Sequence, residues 1–194
     1  MRLKILKKLF YRIRKRLNSN VCLEIFEIEG GKSEVLLPNG LNAKVVSTQS
    51  ELQSLQLKNC YCLGIVEKEI EKGSQILLFV ENSIIVHFSC FTNKHMYAGE
   101  VRRTFCFPKG SLYIYNCYTK TSHRNRKLYF YALSIISGQS KGEVFIASLV
   151  ENLGSIHIIK KVGFKSVGLI YYTSFMFFEN VSSELLQTKI EIRH

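Results

Sequence analysis

The stretch that decides the fold reads SLYIYNCYT at residues 111–119, HRNRK at 123–127, EVFIASLV at 143–150 and NLGSIHIIKKVGF at 152–164. The first and third segments are short, rich in aromatic or β-branched residues and free of proline, which is the composition of β-strands. Between them, apolar residues recur at the spacing of an α-helix. A strand, helix, strand order implies a crossover between two parallel strands, with its helix packed on the sheet.

A cluster of three cations, Arg124, Arg126 and Lys127, lies in the turn that enters this helix, and Gly138 is expected to end it. The free N–H groups and the positive end of the helix dipole at such a turn favour an anion. The cluster is therefore a candidate phosphate site. The alternative is a solvated basic helix start that binds nothing, which is the more common case for such a cluster taken alone.

A second helix is predicted from Asn152, whose side chain is a good N-cap, to Gly163. Ile156, Ile159 and Val162 recur at the spacing that would face them toward the core. Gly163 is placed to end this helix in the left-handed conformation, and another strand is expected directly after it.

This succession resembles the core of the GNAT acyltransferase superfamily. In that family a turn of the form Arg-x-x-Gly-x-Gly/Ala precedes a strand, which is followed by Asn-x-x-Ala/Ser and a helix that ends in Lys-x-Gly-Phe. Arg124 matches the first position of the turn, and Asn152 and Ser155 match the start of the second helix. The end of that helix is matched by Lys161, Gly163 and Phe164.

The resemblance implies a mixed α/β (α+β) fold in which a mostly antiparallel sheet is flanked by helices. It also implies acetyl-CoA as the cofactor, with its pyrophosphate on the amides of the turn and its pantetheine arm along the splayed end of the preceding strand. The cofactor-binding residues implied in this way are Tyr115, Cys117, Tyr118, Thr119, Arg124, Asn125, Arg126, Lys127, Leu128, Tyr129, Asn152 and Ser155.

Several positions depart from the pattern of the family. Lys127 and Tyr129 stand at the two small positions of the turn, so the close backbone approach that glycine permits is lost, and Lys127 would offset this with a charged contact. Ile159 stands where many relatives have a tyrosine that protonates the departing thiolate, so another acid is needed. Tyr115 and Asn116 stand where many amine-acetylating relatives have a carboxylate on the strand before the turn.

The activity implied is acetyl transfer from acetyl-CoA to an amino group. The tyrosine-rich strand, followed by His-Arg and then Leu-Tyr, is most similar to GNAT proteins associated with bacterial surface polysaccharide synthesis, which predicts a nucleotide- or lipid-linked amino sugar as the acceptor. The competing hypothesis is a GNAT-like scaffold without catalysis that binds a membrane surface or a protein partner.

His87 and Glu100 are the candidate catalytic bases that would deprotonate the amine. His87 comes first because the reference pKa of histidine is close to neutral pH. A hydrogen-bonded histidine on an apolar strand is the more common role for such a residue, and a solvated surface loop is the alternative for Glu100.

Residues 1–17 contain eight cations and no acid, and so account for two thirds of the formal net charge of +12. The apolar residues of this segment form one stripe of a basic amphipathic helix, made of Leu6, Leu9, Phe10, Ile13 and Leu17. Such a helix adsorbs to an anionic membrane, or its stripe packs on its own domain, and both alternatives stay open. No nucleic-acid motif accompanies the segment, which ranks nucleic-acid binding below these two.

The six cysteines do not have the spacing of a zinc site, so no metal is predicted. The sequence contains no apolar run suited to a signal peptide or a membrane span. Reduced thiols and a cytoplasmic location are therefore expected, with peripheral contact at the inner face of the membrane. Cys60 and Cys62 are interpreted as alternating strand residues, and Cys117 as a core thiol and not a nucleophile.

The chain after the basic segment suits a single GNAT-like domain over residues 18–194. Turn signals at Gly30-Gly31 and at Pro38-Asn-Gly40 predict a small meander over residues 21–46. The other expected elements are a short helix at 50–57, a strand at 63–66, a charged connection at 67–73, an antiparallel hairpin at 76–91, an irregular loop at 93–108, one long or two broken strands at 165–178 and a peripheral tail from residue 182.

Overall fold

A computed structural model describes residues 18–31, 37, 41–58, 60–175, 178–185 and 190–193. The predicted basic helix at residues 1–17 lies outside the described residues. None of the described helices has both the length and the apolar composition that crossing a membrane requires.

Strands and helices alternate along the described chain. The strands are β1 (Asn18–Glu29), β2 (Asn42–Val46), β3 (Gln75–Glu81), β4 (Ile84–Thr92), β5 (Met96–Ala98), β6 (Arg103–Cys106), β7 (Leu112–Thr119), β8 (Glu143–Leu149), β9 (Lys165–Phe175), β10 (Phe178–Leu185) and β11 (Glu191–Arg193). The α-helices are α1 (Gln49–Ser54), α2 (Tyr61–Glu71), α3 (Leu128–Gln139) and α4 (Leu153–Val162), and a 3-10 turn covers Thr121–His123.

Eight strands form one sheet in the order β10-β9-β1-β8-β7-β4-β3-β2. Strands β7 and β8 are parallel, and every other neighbouring pair of described strands in this sheet is antiparallel. The parallel pair is joined through α3, which is the crossover predicted from the sequence. The expected α+β class, with a mostly antiparallel sheet flanked by helices, is confirmed.

The two faces of the sheet are covered differently. Helices α3 and α4 pack on one face, where Ile114 and Ile146 belong to their core. On the other face, α1 and α2 cover strands β2 to β4. A small sheet of β5, β6 and β11 covers the remaining strands on that face, where Tyr113 and Phe145 belong to its core. Adjacent residues thus alternate between the two cores, as the period of a strand requires.

The meander expected over residues 21–46 is wrong. Strand β1 lies in the middle of the sheet between β8 and β9, whereas β2 forms the opposite edge beside β3. Leu23, Ile25 and Phe26 are all buried, so β1 is apolar toward both faces. A strand of that kind is stable in the centre of a sheet, because both of its faces are then covered.

The strand and the charged connection expected between residues 63 and 73 are also wrong, because this segment is helix α2. Cys62, Val66 and Ile70 are buried at intervals of four residues, which is the core face of a helix. Cys60 is the residue at which this helix begins, so Cys60 and Cys62 are not alternating strand residues.

The loop expected at residues 93–108 contains two strands. Strands β5 and β6 pair with each other, and β6 also pairs with β11 near the end of the chain. Ile190, directly before β11, is buried in the core beneath the small sheet. The tail from residue 182 is therefore not peripheral, since β10 continues to Leu185 and β11 completes the small sheet.

The hairpin of β3 and β4 is confirmed. Its turn residues Asn82 and Ser83 have φ angles of 53° and 61°, which is typical of the tight turns that match the twist of antiparallel strands. Two other boundaries move by a few residues: α3 passes through Gly138 and ends at Gln139, and β9 continues unbroken to Phe175.

Candidate active site

A cleft opens where the parallel strands β7 and β8 separate. In the described chain they pair only through Leu112, Tyr113 and Ile114 of β7. Strand β7 then continues to Thr119 without β8 beside it. The backbone edge of residues 115–119 that would face β8 is therefore outside the parallel ladder.

A β-bulge in β7 supports this separation. The register against β4 shifts between Phe88 and Cys90, and Asn116 opposite this point has a φ angle of 46°. A bulge adds one residue to one strand, bends that strand and increases its twist. The bend lies at the point where β7 leaves β8.

The cleft has a volume of about 1270 Å3 and is lined by residues of both sheet faces. On the helical face it is lined by the turn before α3 and by the start of α4. On the other face it is lined by Met96–Glu100 of the small sheet and by Glu69 of α2. The cleft thus reaches through the sheet, with one mouth at the basic turn and the other at the small sheet.

The structure brings eleven of the twelve predicted cofactor-binding residues to this cleft. They are Tyr115, Cys117, Tyr118, Thr119, Arg124, Asn125, Lys127, Leu128, Tyr129, Asn152 and Ser155. Glu100 also lines the cleft, on the side of the small sheet. Arg126 and His87 do not line it. Whether any of these residues binds a cofactor or catalyses a reaction stays a prediction.

Arg126 binds a carboxylate of its own chain instead of facing the cleft. Its Nη1 and Nη2 atoms each donate to Glu81 at 3.1 Å, and Nε2 of His123 lies 2.7 Å from Oε2 of the same carboxylate. Arg126 and then His123 lower the pKa of Glu81 to about 2. The cations of the turn that remain available to an anion in the cleft are Arg124 and Lys127.

The backbone of the turn has the conformation that glycine favours. Asn125 and Lys127 have φ angles of 63° and 60°, and Lys127 is the residue at which α3 begins. It makes no side-chain cap bond, so it leaves the first N–H groups of the helix available to a ligand. A residue with a Cβ pays about 1 kcal/mol or more for this conformation, which explains why the family pattern has glycine at the position of Lys127.

We expect Lys127→Gly to raise the free energy of unfolding by about 1 kcal/mol, because glycine adopts this φ angle without the Cβ clash. Lys127→Ala is the matched control, since it removes the same charge and keeps the Cβ. Urea denaturation compares the two variants, and equal stabilities would show that the turn is not strained. In calorimetric titration, Lys127→Ala should weaken the binding of coenzyme A more than that of pantetheine, which lacks the pyrophosphate.

Helix α4 begins and ends as predicted. The Oδ1 atom of Asn152 accepts a hydrogen bond of 3.3 Å from the backbone N–H of Ser155, which confirms the N-cap. Gly163 ends the helix with a φ angle of 112°, which confirms the left-handed C-cap. Ile159 is fully buried, so it occupies the core and not the cleft.

His87 lies on β4 beneath α3 and is fully buried. Its Nδ1 atom is 2.8 Å from Oγ1 of Thr119, and its Nε2 atom is 2.9 Å from Oγ of Ser89. Burial lowers the pKa of His87 to about 3, so the ring is neutral at physiological pH. These surroundings are those of the alternative considered above, a hydrogen-bonded histidine on an apolar strand.

Cys117 is half-buried at the bulge of β7, and its thiol points to the backbone carbonyl of Tyr115 at 3.7 Å. Burial raises the pKa of Cys117 to about 12, so the thiol stays protonated. A protonated thiol is a poor nucleophile, but the side chain is half-buried and lines the cleft, so it is not the core thiol that the sequence predicts.

Glu69 of α2 is a candidate functional residue that the sequence analysis missed. Only 7% of it is exposed, and that part lines the cleft. Its Oε2 atom accepts a hydrogen bond of 2.8 Å from the hydroxyl of Tyr115, and its Oε1 atom lies 2.8 Å from Nζ of Lys72. The hydroxyl of Tyr115 also contacts Oγ of Ser74. A buried carboxylate is thus linked to the strand on which the family carboxylate is missing.

A signal for Glu69 existed in the sequence. Cys62, Val66, Glu69 and Ile70 share one helical face, and an acid on an apolar face requires a partner or a function. The predicted strand at 63–66 and charged connection at 67–73 do not place Glu69 on a helical face, so this signal is lost with them.

No family model and no curated protein matches this sequence. Solved structures do match its fold. A putative acetyltransferase from the GNAT family of Novosphingobium aromaticivorans superposes with a TM-score of 0.54 and 11% identity, over 80% of this chain and 64% of that one. The fold is that of the GNAT acetyltransferases.

Two further solved structures match this fold. A GNAT-family acetyltransferase from Colwellia psychrerythraea matches with a TM-score of 0.52 and 10% identity, over 86% of this chain and 62% of that one. A functionally unknown conserved protein from Staphylococcus epidermidis matches with a TM-score of 0.50 and 13% identity, over 84% and 64%. This chain therefore spans less than two thirds of the length of each of the three, and the likeness is one of fold.

Proposed function

We propose that this protein transfers an acetyl group from acetyl-CoA to an amino group. The observation that carries the proposal is the cleft through the sheet, where β7 separates from β8 beside a turn with cations and left-handed backbone. The GNAT fold supports the same class of reaction, since two of the solved structures with this fold are described as acetyltransferases.

The residues at the helical mouth suit the pyrophosphate of acetyl-CoA. Arg124 and Lys127 supply positive charge there, and the first N–H groups of α3 supply hydrogen-bond donors. Acetyl-CoA would supply the activated acetyl group. The free backbone edge of residues 115–119 offers N–H donors that would stabilise negative charge on the acetyl oxygen.

Tyr115 and Glu69 are suited to take the proton of the amine. Burial raises the pKa of Tyr115, so its hydroxyl stays protonated. Such a hydroxyl accepts a proton only when it passes its own proton to Glu69 at the same time, and the hydrogen bond of 2.8 Å permits this. We propose Glu69, acting through Tyr115, as a third candidate base; of the other two, Glu100 lines the cleft and His87 does not.

The thiolate that leaves must gain a proton, and Ile159 cannot donate one. Tyr129 lines the helical side of the cleft, and burial raises its pKa well above the ordinary value. A hydroxyl with so high a pKa keeps its proton, so it can donate a hydrogen bond to the leaving sulfur but not the proton itself. We propose Tyr129 for this hydrogen bond, with water as the source of the proton that the thiolate gains.

The acceptor that we propose is a nucleotide- or lipid-linked amino sugar of bacterial surface polysaccharide synthesis. The support for this acceptor is the similarity of the tyrosine-rich strand in the sequence to GNAT proteins associated with that synthesis. The proposed location is the cytoplasm, with residues 1–17 in contact with the anionic inner face of the membrane. Mass spectrometry of small molecules that gain an acetyl group in cell extract would identify the acceptor, and acetylation of a hydroxyl in place of an amine would overturn this part.

Acetyl-CoA should stabilise the folded protein. At about a hundredfold excess over its dissociation constant, a ligand of the folded state adds roughly 2.7 kcal/mol, which a thermal melt resolves. If saturating acetyl-CoA changes neither the melting temperature nor the heat of titration, the protein is a GNAT-like scaffold without catalysis. That second function is favoured by one observation, the commitment of Arg126 to Glu81.

A further inference from the structure

The end of the β9–β10 hairpin exposes two aromatic side chains. Phe175 is 58% exposed and Phe178 is 79% exposed. The two residues pair directly across the hairpin, so their side chains lie on the same face of the sheet. Most large apolar side chains of the described chain are buried in one of the three cores, so this pair is an apolar patch at the end of a hairpin.

The basic segment joins the sheet at this end of the hairpin. Asn18, the first residue of β1, pairs with Phe175 of β9. Residues 1–17, with their eight cations and no acid, therefore enter the fold directly beside the aromatic pair. The point at which the basic segment is attached thus lies beside the apolar patch, although 157 positions separate Asn18 from Phe175 in the sequence.

Glu179 directly follows Phe178 in the chain, and its negative charge is neutralised. Glu179 forms an ion pair with Arg102 and lies 3.7 Å from Nη1 of Arg103. The guanidinium of Arg102 also lies 5.7 Å from the centre of the Tyr172 ring. The charge of Glu179 is thus compensated by arginines of its own chain.

We propose that the hairpin end, defined by Phe175 and Phe178, is a second membrane contact that inserts into the headgroup region of an anionic bilayer. The inference deepens the proposed membrane contact of residues 1–17. Stable peripheral binding takes two signals, and here the cations attract the anionic surface while the aromatic rings supply apolar burial.

The position of this contact relates to the cleft. Arg102 follows Gly99 and Glu100 on the same loop, and these two residues line the cleft on the side of the small sheet. The ion pair of Arg102 with Glu179 joins that loop to the hairpin. Glu179 pairs with Ser174, so this ion pair lies on the small-sheet face of the hairpin, whereas the aromatic pair lies on the opposite face.

The absence of tryptophan from the sequence gives a direct test. In the full chain, Phe178→Trp places a single fluorescent probe at the hairpin end, and Tyr61→Trp places one at a residue of equal exposure on α2, 80% against 79%. On addition of phosphatidylcholine vesicles that contain phosphatidylserine, the emission of Phe178→Trp should shift to the blue and that of Tyr61→Trp should not. Equal behaviour of the two probes would overturn the proposal.

Vesicle sedimentation tests the energetic part. Phe175→Ser/Phe178→Ser should weaken binding to the same vesicles at least about tenfold, whereas Tyr61→Ser should bind like the wild type, and both should melt like the wild type. Lys7→Glu/Lys8→Glu tests the basic segment alone. If this charge variant loses binding and the double serine variant does not, the hairpin proposal fails and the contact of residues 1–17 stands.

Two further results would overturn the proposal. If the wild type does not bind the vesicles, both membrane contacts are wrong. If the double serine variant elutes from gel filtration as a smaller species than the wild type, the aromatic pair is covered by a second copy of the chain. Pure phosphatidylcholine vesicles are the control for charge, and the proposal expects weak binding to them.

Discussion

Acidification from about pH 6.5 to about pH 4 should lower the free energy of unfolding by about 3 kcal/mol through His87 alone. The folded protein holds the pKa of His87 near 3, whereas the unfolded chain has the ordinary value of about 6.5. Below pH 6.5 the unfolded state therefore binds a proton that the folded state refuses. Stability is fully present above the unfolded pKa and is lost as the pH falls toward the folded pKa.

His87→Asn isolates this contribution. The amide is neutral at every pH and keeps a hydrogen-bonding group beside Thr119 and Ser89. Carboxylates with lowered pKa values, such as Glu81, also destabilise the fold in acid, but they do so in both proteins. Urea denaturation at several pH values should give the variant a shallower loss of stability than the wild type. Parallel curves would mean that His87 is reached by water and protonated in the folded state.

Glu69→Gln should reduce the rate of acetyl transfer by a factor of about 100 to 10,000, which is the usual contribution of a general base. The amide keeps the shape of the side chain and an acceptor for the hydroxyl of Tyr115, but it cannot take the proton. Binding of acetyl-CoA should be unchanged, because the carboxylate lies on α2 and the proposed pyrophosphate site is the turn before α3. The measurement is the rate of coenzyme A release with the acceptor identified by mass spectrometry.

Matched variants separate the three candidate bases. Glu100→Gln removes the other carboxylate named as a base, and His87→Asn removes the histidine. Glu69 is identified as the base if Glu69→Gln is the only variant with a large loss of rate and its residual rate depends more strongly on pH than the wild-type rate. A full rate in Glu69→Gln with a large loss in Glu100→Gln would return the role to Glu100 and leave Glu69 as a structural partner of Tyr115.

The core of the fold was predictable because its signals are local. A strand, a basic turn, a helix and a second strand follow one another between residues 111 and 149, and the handedness of crossovers then leaves little choice of arrangement. The caps of α4 were predictable for the same reason, since Asn152 and Gly163 act on their own helix.

The parts that were not predictable depend on residues far apart in the chain. The position of Arg126 in the basic turn predicts a phosphate ligand, but its partner Glu81 lies 45 residues earlier in the sequence. The pairing of Glu69 with Tyr115 spans 46 residues and follows only from the packing of α2 on the sheet. Local turn signals placed β1 beside β2, whereas its apolar residues on both faces required the centre of the sheet.

The central place of β1 also has a consequence for biosynthesis. Leu23 pairs with Leu149 and with Ile170, so β1 leaves the ribosome more than 100 residues before either of its neighbours in the sheet exists. Pairings of such long range close late and leave an apolar strand with two open edges during translation. Until residues 143–175 are made, β1 is an apolar strand without its partners, which favours aggregation during translation.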